Sequence, residues 1–359
     1  MRVKLKDVCV KATSNLKQSD VLSEGGEYPV YGATGYLGNI DSYHQDKTYI
    51  AVVKDGAGIG RTTILPPKSS VIGTMQYLIP KENVMPEYLY YVVKHMRLQK
   101  YYTGATIPHI YFKDYQNEEF NLANSIKQRE IVKVLKTVED TIRYQEIEIN
   151  KFDELIKARF IEMFGDININ DKNWHTEYLG KLCNIVRGSS PRPIEKYLGG
   201  DIPWIKIGDA TDEDNIYLNS TKEHIIREGV NKSRFVKKGS LIFANCGVSL
   251  GFARIISFDG CIHDGWLALE NIDYRLNKEF LLLSLNQLTD HFRIIAPSGT
   301  QPNLNIAIMQ NFMQVIPPME LQETFVSFRR QVDKSREEVK KSLEKTQQLY
   351  DSLMQEYFG

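Results

Sequence analysis

The 359-residue chain is 42% hydrophobic and 25% charged, enough for two or three domains with proper cores. Its 45 basic and 45 acidic side chains cancel, which excludes a uniformly basic nucleic-acid coat but leaves local basic surfaces open. No apolar run reaches the length of a membrane span, the N-terminus has no signal-peptide pattern, and four cysteines make no disulfide framework in so long a chain; a soluble, reduced, cytoplasmic protein is expected.

In chain order, Thr48 to Val53 and Val71 to Ile79 read as β-rich stretches, bounded by Asp55-Gly56 and Pro66-Pro67. A short helix is expected from Pro86 to Gln99. A long one follows, marked by Ile131, Leu135, Val138, Ile142, Gln145, Ile149, Phe152, Ile156, Arg159 and Met163 at alternating four- and three-residue steps. Ser240 to Ala244 and Phe252 to Ile256 are the next strands, and Lys278 to Leu288 the next short helix. The chain closes on a second long helix carrying Phe325, Arg329, Val332, Arg336, Val339, Leu343, Thr346, Tyr350, Leu353 and Tyr357. Such a seam with charged flanks is the pattern of a coiled coil.

The order of these elements is that of a duplication. Shifted by 194 positions, residues 106–165 fall on 300–359 without a gap: Pro108 on Pro302, Gln128 on Gln322, Val138 on Val332, and Phe164-Gly165 on Phe358-Gly359. Leu5 to Cys9 resembles Leu179 to Cys183, and Gly56 to Gly60 resembles Gly247 to Gly251. The fold class is therefore α+β, with two similar mixed domains, residues 1–125 and 166–318, and two long helices, residues 126–165 and 319–359. Each narrow seam needs a partner, and the economical pairing is of the helices with each other, antiparallel. A helix of about 40 residues spans about 60 Å, so the expected arrangement is two domains on a rod related by a pseudo-two-fold axis, with Gly359 returning near Met1.

Two like domains held apart suit an extended two-fold ligand, and duplex DNA is the obvious one. Charge does not decide the matter: residues 1–125 carry 14 basic and 12 acidic side chains, residues 166–318 carry 16 and 17. The motifs go further. Tyr28-Pro-Val-Tyr-Gly-Ala-Thr-Gly35, Asp55-Gly-Ala-Gly-Ile-Gly60, Gly104-Ala-Thr-Ile-Pro108 and Gln128-Arg-Glu-Ile131 have counterparts in Asp201-Ile-Pro-Trp-Ile-Lys-Ile-Gly-Asp209, Asn245-Cys-Gly-Val-Ser-Leu-Gly251, Ser298-Gly-Thr-Gln-Pro302 and Pro317-Pro-Met-Glu-Leu-Gln322. In this order around two coiled-coil helices, they resemble the specificity (S) subunit of type I restriction-modification enzymes.

The resemblance implies that each mixed domain is a target recognition domain reading one half of a bipartite site. The unlike interiors of the two domains imply an asymmetric target. It also implies a chain without catalysis of its own, docking two modification subunits that transfer methyl from S-adenosylmethionine to adenine N6, and possibly two motor and nuclease subunits. Arg143, Glu146, Lys157, Arg330, Glu337 and Lys341 on the outer helix faces are candidate docking ground. A rival reading is a coiled-coil scaffold whose end domains bind proteins or glycans, for which the zero net charge speaks.

Nothing in the sequence supplies a competing chemistry. There is no Asn/Asp-Pro-Pro-Tyr methyltransferase motif and no Gly-x4-Gly-Lys-Ser/Thr nucleotide loop. The glycines of Asp55 to Gly60 open no βαβ unit, so a tight strand turn is the simpler reading. Cys246, Cys261, His263 and Asp264 lack the paired Cys-x2-Cys spacing of a zinc site, so no metal is expected. Base readout favours Arg for guanine and Asn or Gln for adenine, and turn-adjacent polar residues are the candidates. They are Tyr31, Lys54, Arg61, His109 and Lys113 in the first domain. In the second they are Arg187, Arg192, Lys206, Asn245, Arg254, Gln301 and Asn303.

Overall fold

The computed structural model describes residues 1–21, 25–104, 108–210, 216–247, 249–297 and 302–359. They form two compact units, residues 1–149 with 338–359, and residues 150–337.

The first unit contains strands β1 (Arg2–Lys4), β2 (Cys9–Thr13), β3 (Tyr28–Gly32), β4 (Gly35–Ile40), β5 (Tyr49–Val53), β6 (Thr62–Leu65), β7 (Ser70–Val71), β8 (Met75–Pro80) and β9 (Glu119–Asn121). One sheet runs in the order β2-β8-β5-β6 and a smaller one β4-β3-β7, with β3 and β7 parallel. The β5 segment Tyr-Ile-Ala-Val-Val is buried at every position, as a β-branched run covered on both faces should be. The stretch from Val71 to Ile79 is not one strand. Met75 N–H closes a turn on Ile72 O (3.0 Å) and Gly73 N–H donates to Leu16 O (2.7 Å), so the chain leaves the small sheet and enters the large one. The short helix also stops earlier than its pattern suggests, at Pro86–His95, because Arg97 takes a left-handed φ of 48°.

The second unit contains β10 (His175–Tyr178), β11 (Asn184–Arg187), β12 (Leu198–Ile205), β13 (Tyr217–Leu218), β14 (Glu223–Ile225), β15 (Arg234–Val236), β16 (Leu241–Ala244), β17 (Ala253–Ile256), β18 (Gly260–Ile262), β19 (Trp266–Glu270) and β20 (Met313–Ile316). Its sheets run β11-β19-β16-β17-β13 and β14-β12-β18-β15. Each is the first unit's order with one strand added at an edge, and β12 and β18 repeat the parallel pairing of β3 and β7. The two-stranded pairs β1-β9 and β10-β20 also correspond. The duplication is therefore one of topology as well as sequence.

The long helices are Ser125–Phe164 and Met319–Phe358. In the first unit Tyr350 donates to Glu139 (2.8 Å) and Gln145 to Ser342 (2.8 Å), so the two helices run antiparallel there. In the second unit Asp153 meets Arg336, and the Phe160 ring meets Phe325 edge-on with centroids 5.3 Å apart, again antiparallel. Seam positions between Ile142 and Ile156 are half-buried, as a two-helix contact leaves them. Toward the ends the apolar face widens. Phe160 and Phe164 are buried with Phe280 and Phe325 in the second unit's core, and Met354 and Phe358 are buried in the first unit's. The C-terminal Phe358 packs on Tyr88, centroids 5.4 Å apart, in the unit that holds Met1.

A buried glutamine locks each helix start to its domain. Gln128 Oε1 accepts from Met85 N–H (2.8 Å), and its Nε2 donates to Ala123 O (2.9 Å) and Asn83 O (3.1 Å). Gln322 does the same with Asn277 N–H (2.8 Å), Pro317 O (2.7 Å) and Arg275 O (2.9 Å).

Candidate nucleic-acid interface

In each unit the loop after a central strand is stitched to a distant loop by main-chain hydrogen bonds in the same pattern. Ile110 N–H donates to Lys54 O (2.9 Å) and Gly56 N–H to Pro108 O (3.0 Å) in the first. Leu304 N–H donates to Asn245 O (2.8 Å) and Gly247 N–H to Pro302 O (3.3 Å) in the second. Lys54 N–H and Asn245 N–H donate to Thr74 O and Gly265 O, both at 3.0 Å. Gly56 and Gly247 sit at φ 83° and 81°, where an added Cβ would touch nothing, so backbone conformation alone calls for glycine.

This shared frame carries different side chains. Around the first, Lys54 Nζ donates to Asp55 Oδ2 (2.5 Å), and His109 Nδ1 lies 2.7 Å from Asp55 Oδ1. Burial pushes the Asp55 carboxyl up, but the hydrogen bonds and charges of Lys54 and His109 outweigh it and hold the group below the ordinary carboxylate range. His109 stacks near Tyr111 (6.3 Å between centroids, 23° between planes), and Lys113 Nζ stands 5.3 Å from the Tyr111 ring. Tyr111 thus joins two of the residues singled out from the sequence. Arg61 Nη1 donates to Ala33 O (2.9 Å), bracing the Gly32–Gly35 turn, where Tyr31 meets Tyr36 edge-on. Tyr36, Tyr102 and Tyr111 are exposed.

In the second unit Arg187, Arg192 and Lys206 gather at one place with His263 and Asp264. Arg187 Nε donates to the Asp264 carbonyl (3.0 Å). The Asp264 carboxylate accepts from Ser190 Oγ (2.8 Å), and the same oxygen lies 2.8 Å from His263 Nε2, with Arg192 3.6 Å from the other. Gly265 N–H donates to His263 Nδ1 (2.9 Å), so the neutral ring carries its proton on Nε2. Burial pulls the His263 pKa down, and the neighbouring cations add to that against the pull of Asp264. Lys206 is bound to Glu223 and lies 5.7 Å from the Trp204 ring.

The depressed His263 pKa has a testable sign. The proton binds the unfolded chain more tightly, so stability is lost as pH falls below the ordinary histidine value of about 6.5. In His263→Gln the drop in Tm between pH 7.5 and 5.5 should be smaller than in the wild type. An equal drop in both would show that the ring does not contribute.

Three candidates are placed differently from the rest. Asn245 is fully buried and donates to Asn303 Oδ1 (3.1 Å), shaping the loop from within, while Asn303 is partly exposed. Arg254 is buried, donates to Ala253 O (2.8 Å) and Ala210 O (3.2 Å), and lies 4.6 Å from the Phe252 ring. Gln301, with the centres of the Gly104–Pro108 and Ser298–Pro302 motifs, lies outside the described residues. Arg330 on the second long helix is tied to Glu279 (2.5 Å), so that part of the proposed docking ground is committed to its own domain. Tyr111, Ser190 and Trp204 are not among the residues singled out from the sequence, and His263-Asp264 enters that reading only as part of a rejected zinc site. Among the described residues no three His, Cys, Asp or Glu side chains converge as metal ligands. No helix among them is long and apolar enough to cross a membrane.

A family model described as the type I restriction modification DNA specificity domain matches residues 1–152 and 171–348. The type I restriction enzyme MjaIX specificity subunit of Methanocaldococcus jannaschii is 23% identical over 282 residues, 70% of this chain and 63% of that protein. The type I restriction enzyme HindI specificity subunit of Haemophilus influenzae is 25% identical over 155 residues, 42% of this chain and 33% of that one. The matched region thus spans less than two thirds of either curated relative. Among solved structures, the S subunit of a type I restriction-modification system from M. genitalium superposes with a TM-score of 0.60 at 17% identity, covering 100% of this chain and 96% of that one. A chain from a study of complex assembly in a type I R-M system gives 0.67 at 15%, covering 99% and 97%. The HsdS subunit from Thermoanaerobacter tengcongensis gives 0.53 at 16%, covering 100% and 96%. At these identities the structures share the fold.

Proposed function

Because this chain belongs to the type I restriction modification DNA specificity family, we propose that it is the sequence-reading subunit of such a complex. In this reading each domain takes one half of a bipartite duplex target. The observation that carries the proposal is the common loop frame with unlike side chains: Lys54, Asp55 and His109 in one domain, Asn245, Cys246 and Asn303 in the other. A frame shared by both domains sets a similar approach to the duplex, and different donors and acceptors select different bases, so the two half-sites differ. Exposed Arg187, Arg192 and Lys113 are the proposed DNA-facing cations, and Tyr111 the proposed aromatic contact. The chain performs no chemistry; it presents DNA to two modification subunits that hold S-adenosylmethionine and methylate adenine N6. Two restriction subunits can join the same assembly, and the whole acts in the cytoplasm.

The test is a genome-wide map of N6-methyladenine in a methylation-free host expressing this chain with its modification subunit, and each alone. A split, asymmetric motif that appears only with both is expected. If the assembled complex methylates without a motif set by this chain, the DNA-reading proposal fails and a protein- or glycan-binding scaffold takes its place. Binding of duplex to the complex should also fall steeply with salt as counterions are released.

A further inference from the structure

Arg187 ends β11, an edge strand of the second domain's larger sheet. Its Nε is held by the Asp264 carbonyl at 3.0 Å, which fixes the inner end of the guanidinium plane. The residue is exposed, and its two terminal nitrogens make no hydrogen bond or ion pair among the described residues. The Asp264 carboxylate forms no fork with them: its Oδ1 lies against Ser190 and His263, and its Oδ2 is 3.6 Å from Arg192. An arginine anchored through Nε alone presents its remaining donors as a rigid outward pair. That pair matches two acceptors side by side, as guanine offers with O6 and N7 in the major groove. Arg192 nearby is 82% exposed and only loosely paired at 3.6 Å, which leaves its charge available to phosphate.

The first domain has no such group at the matching place. Thr13 pairs with Gln76 in β2 and β8 as Arg187 pairs with Leu267 in β11 and β19. Met75 and Trp266, one residue before those partners, close the same turn on Ile72 O and His263 O, which sets the correspondence. Resting on the reading above, we propose that Arg187 is the guanine-reading residue of the second domain, so that one half-site, and not the other, owes a G·C pair to this contact.

The experiment compares methylation maps of the complex carrying the wild-type chain, Arg187→Gln, Arg187→Lys and, in the first domain, His109→Ala. Both Arg187 variants should relax a single G·C position in one half of the motif, with discrimination there falling roughly ten- to a hundredfold. His109→Ala should relax the other half. Lysine keeps the charge without the fork, so it separates base readout from attraction to phosphate, and it carries the test if the glutamine variant yields no soluble complex. The proposal is overturned by an unchanged motif, by relaxation at an A·T position, or by an even loss of methylation at every site, the behaviour of a phosphate contact. A wild-type map with no motif dependent on this chain would instead sink the underlying reading.

Discussion

Arg329→Ala should destabilise the second unit by about 3–5 kcal/mol, the usual cost of stripping one partner from a buried charge cluster. Its guanidinium is 5% exposed, 2.5 Å from Asp333 and 3.9 Å from Glu279, whose carboxylate also accepts from Tyr217 (2.9 Å). Burial pushes the Glu279 carboxyl up, and Arg330, Tyr217 and Arg329 bring it below its ordinary range. Without Arg329, Asp333 loses its 2.5 Å partner and Glu279 loses one of its two guanidinium neighbours, Arg330 remaining. Arg159 is the informative control. It too occupies a seam position, but it is 38% exposed and pairs with Glu162 on its own helix, so its removal should cost under about 1 kcal/mol. Urea denaturation of the two variants decides it, and equal midpoints would show that the buried cluster contributes nothing beyond a surface pair.

The second large effect is expected at the repeated glutamines. Gln128→Ala and Gln322→Ala each orphan one main-chain N–H and two carbonyls at mostly half-buried positions. At about 1–3 kcal/mol for each group that water does not reach, a loss of about 2–4 kcal/mol per variant follows. The losses should be separable by hydrogen exchange. Gln128→Ala lowers protection in residues 83–93 and the β1-β9 pair, while Gln322→Ala lowers it in residues 275–285 and β10-β20. Protection unchanged in both regions would mean that the clamps are dispensable and that packing alone seats the helices.

The seam, the duplication and both glutamines are legible in the sequence because they are local or periodic. Four- and three-residue spacing reports a helix face directly, and a constant shift of 194 reports the second copy. Phe160, Phe164, Met354 and Phe358 escape that pattern, since they belong to a second face that exists only where a domain packs on the helix end. Sheet order is hidden for a related reason. A β-branched run such as Tyr49–Val53 announces a strand, but nothing in it names β8 and β6 as its neighbours. The candidate interface is only half legible. Turn-adjacent polarity names Lys54, His109, Arg187 and Arg192 as candidates, whereas Asp264 gains its place from partners more than seventy residues away, Arg187 and Ser190. Asn245 and Arg254 have the right chemistry for base readout, and burial turns it inward.

The paired loops are joined by N–H and C=O groups, which every residue except proline supplies alike. Positions 55 and 109, or 246 and 303, can therefore change identity while their main-chain bridges persist. Folding imposes little selection on these side chains, so on the proposed reading single-codon drift would alter the text that is read well before it endangered the reader. On that reading, what would restrain such drift is the abundance of the new word in the host's own chromosome, a constraint written in the genome and not in the protein.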